Sequence, residues 1–334
     1  MTTINPAQRA ACPAFSRPQT GQVGDSAATK FLQAGHFRRS IAAYQWSDAP
    51  SRKLYRRLPL SHKRLTLSPF VPSFDFSSYS AVLLDLDGTL SHEDHALPGA
   101  VELVRRLDQL GKKYAVLSNT TASPMEISRQ LNGLGMNIPA DHIYTAAAAA
   151  ADYVIEKFGD KARVFNLATK GINELLNGRV EWVETADQKC DIVICGAPAN
   201  IFASIPRQRL ALSLLRSGAE LVGICADRVY TSPRGIEIGV GALTNMLSYA
   251  ANVPAVFTGK PRKFFFDHLC HHLGVRTDQC VLIGDNLESD VAGAKALGMK
   301  TILPLTGVTR PEEIKRLPPD RRPNWIVNDL TELL

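Results

Sequence analysis

The chain has 334 residues, of which 45% are hydrophobic and 21% are charged, and its formal net charge is +6. This length allows about two domains with buried cores, and no apolar stretch approaches the roughly 18 consecutive residues that a membrane-spanning helix needs. The positive charge is concentrated at the start, because residues 1–74 carry a net charge of +9 and the remainder −3. The positive net charge of the whole chain therefore gives little information about what the remaining residues bind.

Residues 1–74 show no sustained helical or strand periodicity, and Pro, Ser, Gln and Arg are scattered through them. This composition predicts a disordered leader. Three interpretations stay open: an inert or misassigned start, a basic tail that contacts nucleic acid or a membrane, and an organellar transit peptide. The segment Arg52–Arg57 is the best nucleic-acid candidate, but one short basic cluster is a weak signal.

Six cysteines are spread through the sequence without a CxxC pair. This spacing argues against a zinc knuckle or a disulfide framework and favours buried thiols in a reducing cytosol, so we expect a cytoplasmic protein. Two further clusters, Cys270–His272 and His92–His95, superficially suggest metal binding. We interpret both as structural, because adjacent residues on a helix point in different directions and the second cluster lacks HExxH spacing.

From Phe74 onward, predicted strands and helices alternate, which is typical of a parallel α/β sheet. The first strand is Ala81–Leu84, a continuous apolar run of the kind found in strands buried on both faces. The six alanines Ala146–Ala151 fit a helix face of small residues. Hydrophobic periodicity and capping signals predict the other elements in this order: helix Pro98–Leu110, strand Tyr114–Leu117, a helix opening at Ser123, strands Val164–Leu167 and Ile192–Cys195, helix Pro206–Leu215, strands Leu221–Cys225 and Ala255–Phe257, helix Phe264–Leu273, strand Val281–Ile283, a helix to about Leu297, and strand Lys300–Leu303.

Polar side chains follow four of the predicted strands. They are Asp85 and Asp87, Ser118 and Asn119, Lys260, and Asp285 and Asp290. Because the carboxyl ends of parallel strands meet at one edge of a sheet, we expect these side chains to converge on one crevice. Several carboxylates in one place repel each other unless a cation is present, and oxygen ligands favour Mg²⁺.

This set of side chains suits phosphoryl transfer. Asp85 can attack phosphorus and form an aspartyl phosphate. Asp87 can protonate the leaving oxygen and later deprotonate a water molecule. Lys260 and Mg²⁺ would offset negative charge, and Ser118 would donate a hydrogen bond. Taken alone, the turn after Ser118 is explained equally well as an ordinary capped helix start.

The segments DLDGTL, LSNT, GKP and GDNLESD resemble the four motifs of the haloacid dehalogenase (HAD) superfamily, in the same order, over about residues 79–310. The large insertion between the second and third motifs is similar to that of the class IIA members. The resemblance implies a Rossmann-like, doubly wound parallel α/β sheet. Its core would comprise residues 75–158 and 253–334, and an inserted α/β cap would comprise residues 159–252.

The resemblance also implies roles for individual residues. Asp85 would be the nucleophile and Asp87 the acid/base. Mg²⁺ would be held by the Asp85 side chain, the Asp87 carbonyl oxygen and Asp285, with Asp290 orienting the metal site. Ser118, Asn119 and Lys260 would bind the phosphate. An aspartate at position 87 favours phosphate esters over haloacids as substrates.

We therefore expect a Mg²⁺-dependent phosphatase of a small phosphorylated metabolite, with no membrane partner and with a homodimer as a candidate assembly. Two alternatives stay open. One is a phosphate-ester binding or regulatory protein with little turnover, and the other is a nucleic-acid-associated protein dominated by its leader. The cap departs from the family pattern at Cys195–Pro198, where many members have a Gly-Leu/Phe-Asp sequence, and at Ala226, where many members have Asn. Asp227 and Arg234 are candidate substrate contacts, and the substrate itself is left open.

Overall fold

The computed structural model describes residues 74–168, 170–196, 204–232 and 235–334. Residues 1–73 and Arg234 lie outside this part of the chain, so the interpretations of the leader and of Arg234 stay predictions. Two parallel β-sheets with flanking helices dominate the described residues. None of the described helices has the length and apolar character needed to cross a membrane.

The first sheet has six strands, and all neighbouring strands in it are parallel. Its members are β1 (Ala81–Asp85), β4 (Lys113–Ser118), β5 (Ile143–Thr145), β13 (Cys280–Ile283), β14 (Lys300–Pro304) and β15 (Trp325–Val327). The order across the sheet is β15-β14-β13-β1-β4-β5, which places β1 between β13 and β4. The predicted α/β fold class with a parallel sheet is confirmed.

Both faces of β1 are buried, which explains its continuous apolar sequence. Val82 and Leu84 belong to one hydrophobic cluster, whereas Ala81 and Leu83 belong to another. Successive side chains of a strand point to opposite faces, so the two clusters cover the two sides of the sheet. The strand is fixed from both sides, and so is the position of Asp85 at its end.

The second sheet has five strands in the order β12-β9-β8-β6-β7, and its neighbouring strands are also parallel. They are β6 (Arg163–Leu167), β7 (Glu181–Trp182), β8 (Ile192–Cys195), β9 (Glu220–Gly223) and β12 (Ala255–Phe257). The expectation that Ala255–Phe257 returns the chain to the first sheet is wrong, because β12 pairs with β9. Three apolar residues mark a strand but carry no information on its neighbour.

The alanine-rich helix Ala146–Phe158 lies between the two sheets. Ala147 and Ala150 pack in a cluster with strands of the second sheet, while Ala148 and Ala149 pack in a cluster with β1 and β4. Small side chains on several faces allow one helix to approach both sheets closely. The predicted helix of small residues is confirmed, and its packing explains the composition.

Two antiparallel hairpins accompany the sheets: β2 (Ser91–His92) with β3 (His95–Ala96), and β10 (Val229–Ser232) with β11 (Gly235–Ile238). The first has no signal in the sequence, because strands of two residues are too short to show an alternating pattern. The predicted helix after Asp285 begins as a π-helical turn, Leu287–Val291. The other α-helices of the described residues are Ala100–Gln109, Pro124–Gly133, Lys170–Leu175, Ile205–Arg216, Val240–Ala251, Lys263–Leu273, Ala292–Ala296 and Pro311–Arg316.

Candidate active site

Three adjacent strands of the first sheet deliver polar residues to one edge. Asp85 is the last residue of β1, Ser118 is the last residue of β4, and Asp285 follows β13 by two residues. Because β1 pairs with both other strands in parallel, their carboxyl ends lie side by side. The structure brings these predicted site residues together at the edge where α/β sheets bind ligands.

Asp85 lies at the centre of this edge, and its side chain is held from two sides. Its Oδ1 accepts a hydrogen bond from Lys260 Nζ at 2.5 Å, and its Oδ2 accepts one from the Thr89 hydroxyl at 3.2 Å. Asp85 is only 5% exposed. The carboxylate is therefore fixed in orientation before any ligand binds.

Lys260 reaches the same site from the second sheet, three residues after β12. Its Nζ donates to Asp85 and also to Asp290 Oδ1 at 2.8 Å. Burial alone would lower the pKa of the lysine, but the two carboxylates outweigh this effect and raise the pKa above its usual range. Lys260 is therefore a protonated, buried cation at neutral pH.

Asp85 forms a cluster of three carboxylates with two other aspartates. Asp85, Asp285 and Asp290 can each offer one oxygen, and these oxygens lie within 4.8 Å of one another. Burial raises the pKa of Asp85 to about 7, of Asp285 to about 6 and of Asp290 to about 7. Lys260 offsets only part of this negative charge. A divalent cation that prefers oxygen ligands would offset the remainder, so the donor set fits such a metal.

The two oxygens of Asp290 are already engaged within the protein. Oδ1 accepts from Lys260, and Oδ2 accepts from the main-chain N–H of Asn286 at 3.2 Å. Gly284 lies directly against this carboxylate, since a Cβ at that position would be 2.7 Å from Oδ2. Asp290 is thus placed to support the cluster from behind.

Asp87 and Ser118 line the open side of the site. The buried Ser118 hydroxyl donates to Asp87 Oδ2 at 3.5 Å, and it accepts from the main-chain N–H of Thr120 at 3.1 Å. Asp87 keeps contact with solvent. Neighbouring protein atoms remove part of the water around its carboxylate and raise its pKa, while Lys260 acts in the opposite direction. A carboxyl group in this setting can exchange protons with solvent and with a bound ligand.

The loop that follows β14 also contributes to the site, although its sequence did not predict this role. The Val308 N–H donates to Asp285 Oδ2 at 2.5 Å, and the Thr306 hydroxyl donates to the Gly88 carbonyl at 2.7 Å. Gly307 lies against Asp285, since a Cβ there would be 1.8 Å from Oδ2. The available signal was a Thr-Gly pair that begins three residues after the predicted strand Lys300–Leu303. Contacts made through the main chain leave little pattern in side-chain types.

Replacing Gly307 with alanine is expected to displace Asp285 and weaken metal binding. The added methyl group overlaps the carboxylate, so Asp285 must rotate or the loop must move. We expect Mg²⁺ affinity to fall by about tenfold and the free energy of unfolding to fall by about 1–3 kcal/mol. Calorimetric Mg²⁺ titration and urea denaturation measure the two effects. Gly133→Ala is the control, because nothing lies within 4 Å of a Cβ there. Wild-type Mg²⁺ affinity in Gly307→Ala would contradict this account of the loop.

The raised carboxylate pKa values predict that metal-free protein loses stability as pH rises. Asp85 and Asp290 titrate near pH 7 in the folded protein but near 3.8 when unperturbed. Between these values the folded state binds more protons than the unfolded chain, so the free energy of unfolding falls as pH increases. We expect Mg²⁺ to raise the melting temperature more at pH 8 than at pH 5, measured by thermal unfolding with Mg²⁺ and with EDTA. An equal increase at both pH values would be inconsistent with this prediction.

The other metal-like clusters do not join this site. Within the described ranges, Asp85, Asp285 and Asp290 form the single group of three or more His, Cys, Asp or Glu residues with suitable spacing. His95 instead pairs with Asp94 at the exposed tip of the first hairpin. Five of the six cysteines fall in the described residues, and all five are free thiols. The interpretation of both clusters as structural stays a prediction.

Comparisons with known proteins agree with this geometry. Residues 82–179 match the family model described as haloacid dehalogenase-like hydrolase, and residues 257–333 match a HAD-hydrolase-like model. The bovine haloacid dehalogenase-like hydrolase domain-containing protein 2 is 33% identical over 240 residues, which is 72% of this chain and 89% of that protein. The 5'-nucleotidase YutF of Bacillus subtilis is 28% identical over 76% of this chain and 97% of its own length.

Solved structures show the same relationship. The p-nitrophenyl phosphatase from Archaeoglobus fulgidus has a TM-score of 0.70 at 26% identity, over 77% of this chain and 98% of that chain. A glycerol phosphate phosphatase from Mycobacterium tuberculosis, solved in complex with magnesium, has a TM-score of 0.69 at 25% identity, over 76% of this chain and 77% of that chain. The chain therefore belongs to the haloacid dehalogenase-like hydrolase family, as a class IIA member.

Proposed function

We propose that the protein is a Mg²⁺-dependent phosphatase that hydrolyses a small phosphate monoester through an aspartyl phosphate on Asp85. The observation that carries the proposal is the buried Asp85 carboxylate, held by Lys260 and flanked by Asp285 and Asp290 at a sheet edge. A carboxylate in this position can act as a nucleophile beside the Lys260 ammonium group, which can bind a phosphoryl group.

In the first proposed step, an Asp85 oxygen bonds to phosphorus and the bond between phosphorus and the ester oxygen breaks. Asp87 gives its proton to the departing oxygen. In the second step, Asp87 accepts a proton from water as the water oxygen attacks phosphorus, and the bond to Asp85 breaks. The raised pKa of Asp87 favours its protonated form, which the first step requires. Its contact with solvent suits the second step.

The residues proposed to hold Mg²⁺ are Asp85, Asp285 and the carbonyl oxygen of Asp87. Asp290 would act behind them, because its oxygens are engaged by Lys260 and Asn286. When bound, the cation would supply neutralising charge to the carboxylates and to the phosphoryl oxygens. Two observations support this assignment. The three carboxylates need positive charge nearby, and the similar glycerol phosphate phosphatase was solved in complex with magnesium.

The side-chain contacts proposed for the phosphate are the Ser118 hydroxyl and the Lys260 ammonium group. The Ser118 hydroxyl faces Asp87 and can turn toward a phosphoryl oxygen, while Lys260 provides the positive charge. Donors fixed around the position of the transferred group stabilise the charge that develops in the transition state. Asn119, the third residue predicted to bind phosphate, follows Ser118 directly, but its side-chain amide is hydrogen-bonded to Lys260 and Asp227.

The substrate class is proposed from the relatives and the second sheet. Related proteins carry the names 5'-nucleotidase, acid sugar phosphatase and dihydroxyacetone phosphatase. All three names denote enzymes that act on small phosphate monoesters. We propose that the second sheet belongs to a cap over the site, largely residues 159–252 with β12 added. Variation in this part would select among leaving groups while the chemistry at Asp85 stays the same.

The proposal is tested by measuring phosphate release from a panel of small phosphate monoesters, with Mg²⁺ and with EDTA. We expect release that requires Mg²⁺ and is abolished in Asp85→Asn. Tight phosphate binding without release would instead identify a binding or regulatory protein. Release that survives the loss of Asp85 would exclude the aspartyl phosphate.

Two further parts of the proposal concern location and assembly. A cytoplasmic location is supported by the free thiols, four of which are buried, since such proteins are typical of reducing compartments. Localisation of the tagged full-length chain tests this part. The candidate homodimer is tested by light scattering during size-exclusion chromatography, in which a monomer mass would exclude it.

A further inference from the structure

The side-chain amide of Asn119 makes three hydrogen bonds within the protein. Its Oδ1 accepts from the main-chain N–H of Lys260 at 2.8 Å. Its Nδ2 donates to the main-chain carbonyl of Lys260 at 3.2 Å and to Asp227 Oδ2 at 3.1 Å. Since an amide has two N–H donors, both donors are engaged. A phosphate oxygen would have to displace one of these partners to bind the amide.

All three hydrogen-bond partners of Asn119 require the same orientation of its side-chain amide. The Lys260 N–H requires an acceptor, whereas the Lys260 carbonyl and the Asp227 carboxylate require donors. A reversed amide would place nitrogen against the N–H and oxygen against two acceptors. The geometry therefore matches three partners at once.

Asn119 also joins segments from the two sheets. It follows β4 of the first sheet, while Lys260 follows β12 and Asp227 follows β9 of the second sheet. The Gly259 N–H donates to the Ile224 carbonyl at 2.8 Å, so the latter two segments are already tied together. A Cβ at Gly259 would lie 2.6 Å from Asn119 Oδ1, which shows how closely the amide approaches the chain before Lys260.

Lys260 is consequently held at both ends. Its ammonium group contacts Asp85 and Asp290, and its main chain is held by Asn119. A long, flexible side chain places its charge reproducibly only if its backbone is fixed. The Asn119 amide provides this fixation on the first sheet, where the nucleophile also resides.

We propose that Asn119 is a positioning residue that sets Lys260 against Asp85, and that Asp227 orients the Asn119 amide from the second sheet. This inference rests on the proposed phosphatase function and deepens it. The side chain of Asn119 acts on the reaction through Lys260, and its effect is on turnover more than on phosphate affinity. Asp227 couples the second sheet to the same lysine.

The test uses the full chain with Asn119→Ala, Asn119→Asp, Asp227→Ala and Asp227→Asn. Turnover and KM are measured with p-nitrophenyl phosphate at saturating Mg²⁺, and inorganic phosphate is measured as a competitive inhibitor. For Asn119→Ala we expect kcat to fall about 10- to 100-fold, with the inhibition constant of phosphate within about threefold of wild type. Asp227→Asn keeps an acceptor oxygen and should retain most turnover, whereas Asp227→Ala should not.

Asn119→Asp keeps the acceptor for the Lys260 N–H but places a carboxylate against Asp227 and the Lys260 carbonyl. It should therefore lower kcat in the same manner, and adding Asp227→Asn should restore part of the loss by restoring a donor between the two side chains. This pair of substitutions remains informative if Asn119→Ala fails to fold. Asn132→Ala is the matched control, because its side chain also accepts from a main-chain N–H, that of Ile138 at 2.9 Å, away from the site.

Hydrogen exchange provides a readout that does not depend on turnover. Peptides containing Lys260 should exchange faster in Asn119→Ala than in wild type, and those in Asn132→Ala should not. If wild type shows no phosphatase activity, the proposed function fails, while the exchange data still decide the link between Asn119 and Lys260. The inference is overturned if Asn119→Ala weakens phosphate binding at unchanged kcat, or if neither kcat nor exchange changes.

Discussion

Lys260→Met is expected to lower the free energy of unfolding by about 3–5 kcal/mol at pH 8, and to abolish phosphatase turnover. Lys260 is 3% exposed and is hydrogen-bonded to both Asp85 and Asp290. Methionine fills a similar volume but leaves two buried carboxylates without their cation. Protonation of these carboxylates removes the free-energy cost of burying their negative charge, so the destabilisation should be smaller at pH 5.5 than at pH 8. Urea denaturation at both pH values measures the difference.

Lys263→Met is the matched control for this prediction. Lys263 pairs with Asp267 one turn along the next helix, but both side chains are exposed. Exposed pairs contribute roughly 0–1 kcal/mol, so little change is expected. Lys260→Met combined with Asp290→Asn should recover part of the lost stability at pH 8, because one uncompensated charge is removed. A loss below about 1 kcal/mol in Lys260→Met would show that Lys260 does not balance the carboxylates.

Asp85→Asn is expected to lower turnover by at least about 10⁴-fold, because the amide cannot act as the nucleophile. The same change should raise the melting temperature of the metal-free protein at pH 8. Burial raises the pKa of Asp85 to about 7, so ionising it in the folded state has a cost that asparagine avoids. Thermal unfolding in EDTA and phosphate release with Mg²⁺ measure the two effects on one preparation.

A variant that is inactive and more stable cannot owe its inactivity to misfolding. Asp94→Asn is the control, since Asp94 is an exposed carboxylate at the tip of the hairpin after Asp85 and pairs only with the equally exposed His95 in the ion pairs described. Its turnover and stability should match wild type. Residual turnover in Asp85→Asn within tenfold of wild type would remove Asp85 from the proposed role.

The sequence alone predicted the part of the site that depends on strand ends. Asp85, Ser118 and Asp285 each follow an apolar run of strand length, and parallel pairing then forces them together. The sequence predicted that Lys260 lies in the site, but it did not predict that the preceding strand belongs to the second sheet. The run Ala255–Phe257 marks a strand without specifying its neighbour, and hydrogen bonds to β9 decide that choice.

The parts that escaped prediction depend on main-chain contacts. The loop Thr306–Val308 acts through an N–H and through the missing side chain of Gly307, neither of which creates a periodic pattern. The resemblance to the HAD motifs implied that Asn119 binds phosphate. Only the fold reveals that its amide faces the main chain of Lys260, 141 positions later. Residue type and order predict which chemistry is present, whereas the partners of an amide depend on the packing of both sheets.

The central claim, a covalent aspartyl phosphate on Asp85, is tested most directly by trapping that intermediate in Asp87→Asn. With p-nitrophenyl phosphate the leaving group departs without protonation, so the first step proceeds while the second lacks its base. We predict a burst of p-nitrophenolate equal to the enzyme concentration. We also predict that mass spectrometry after acid quenching finds one added phosphoryl group on the peptide containing Asp85, and none in Asp85→Asn/Asp87→Asn. A phosphoryl group on another residue, or turnover by Asp87→Asn without any adduct, would contradict the account.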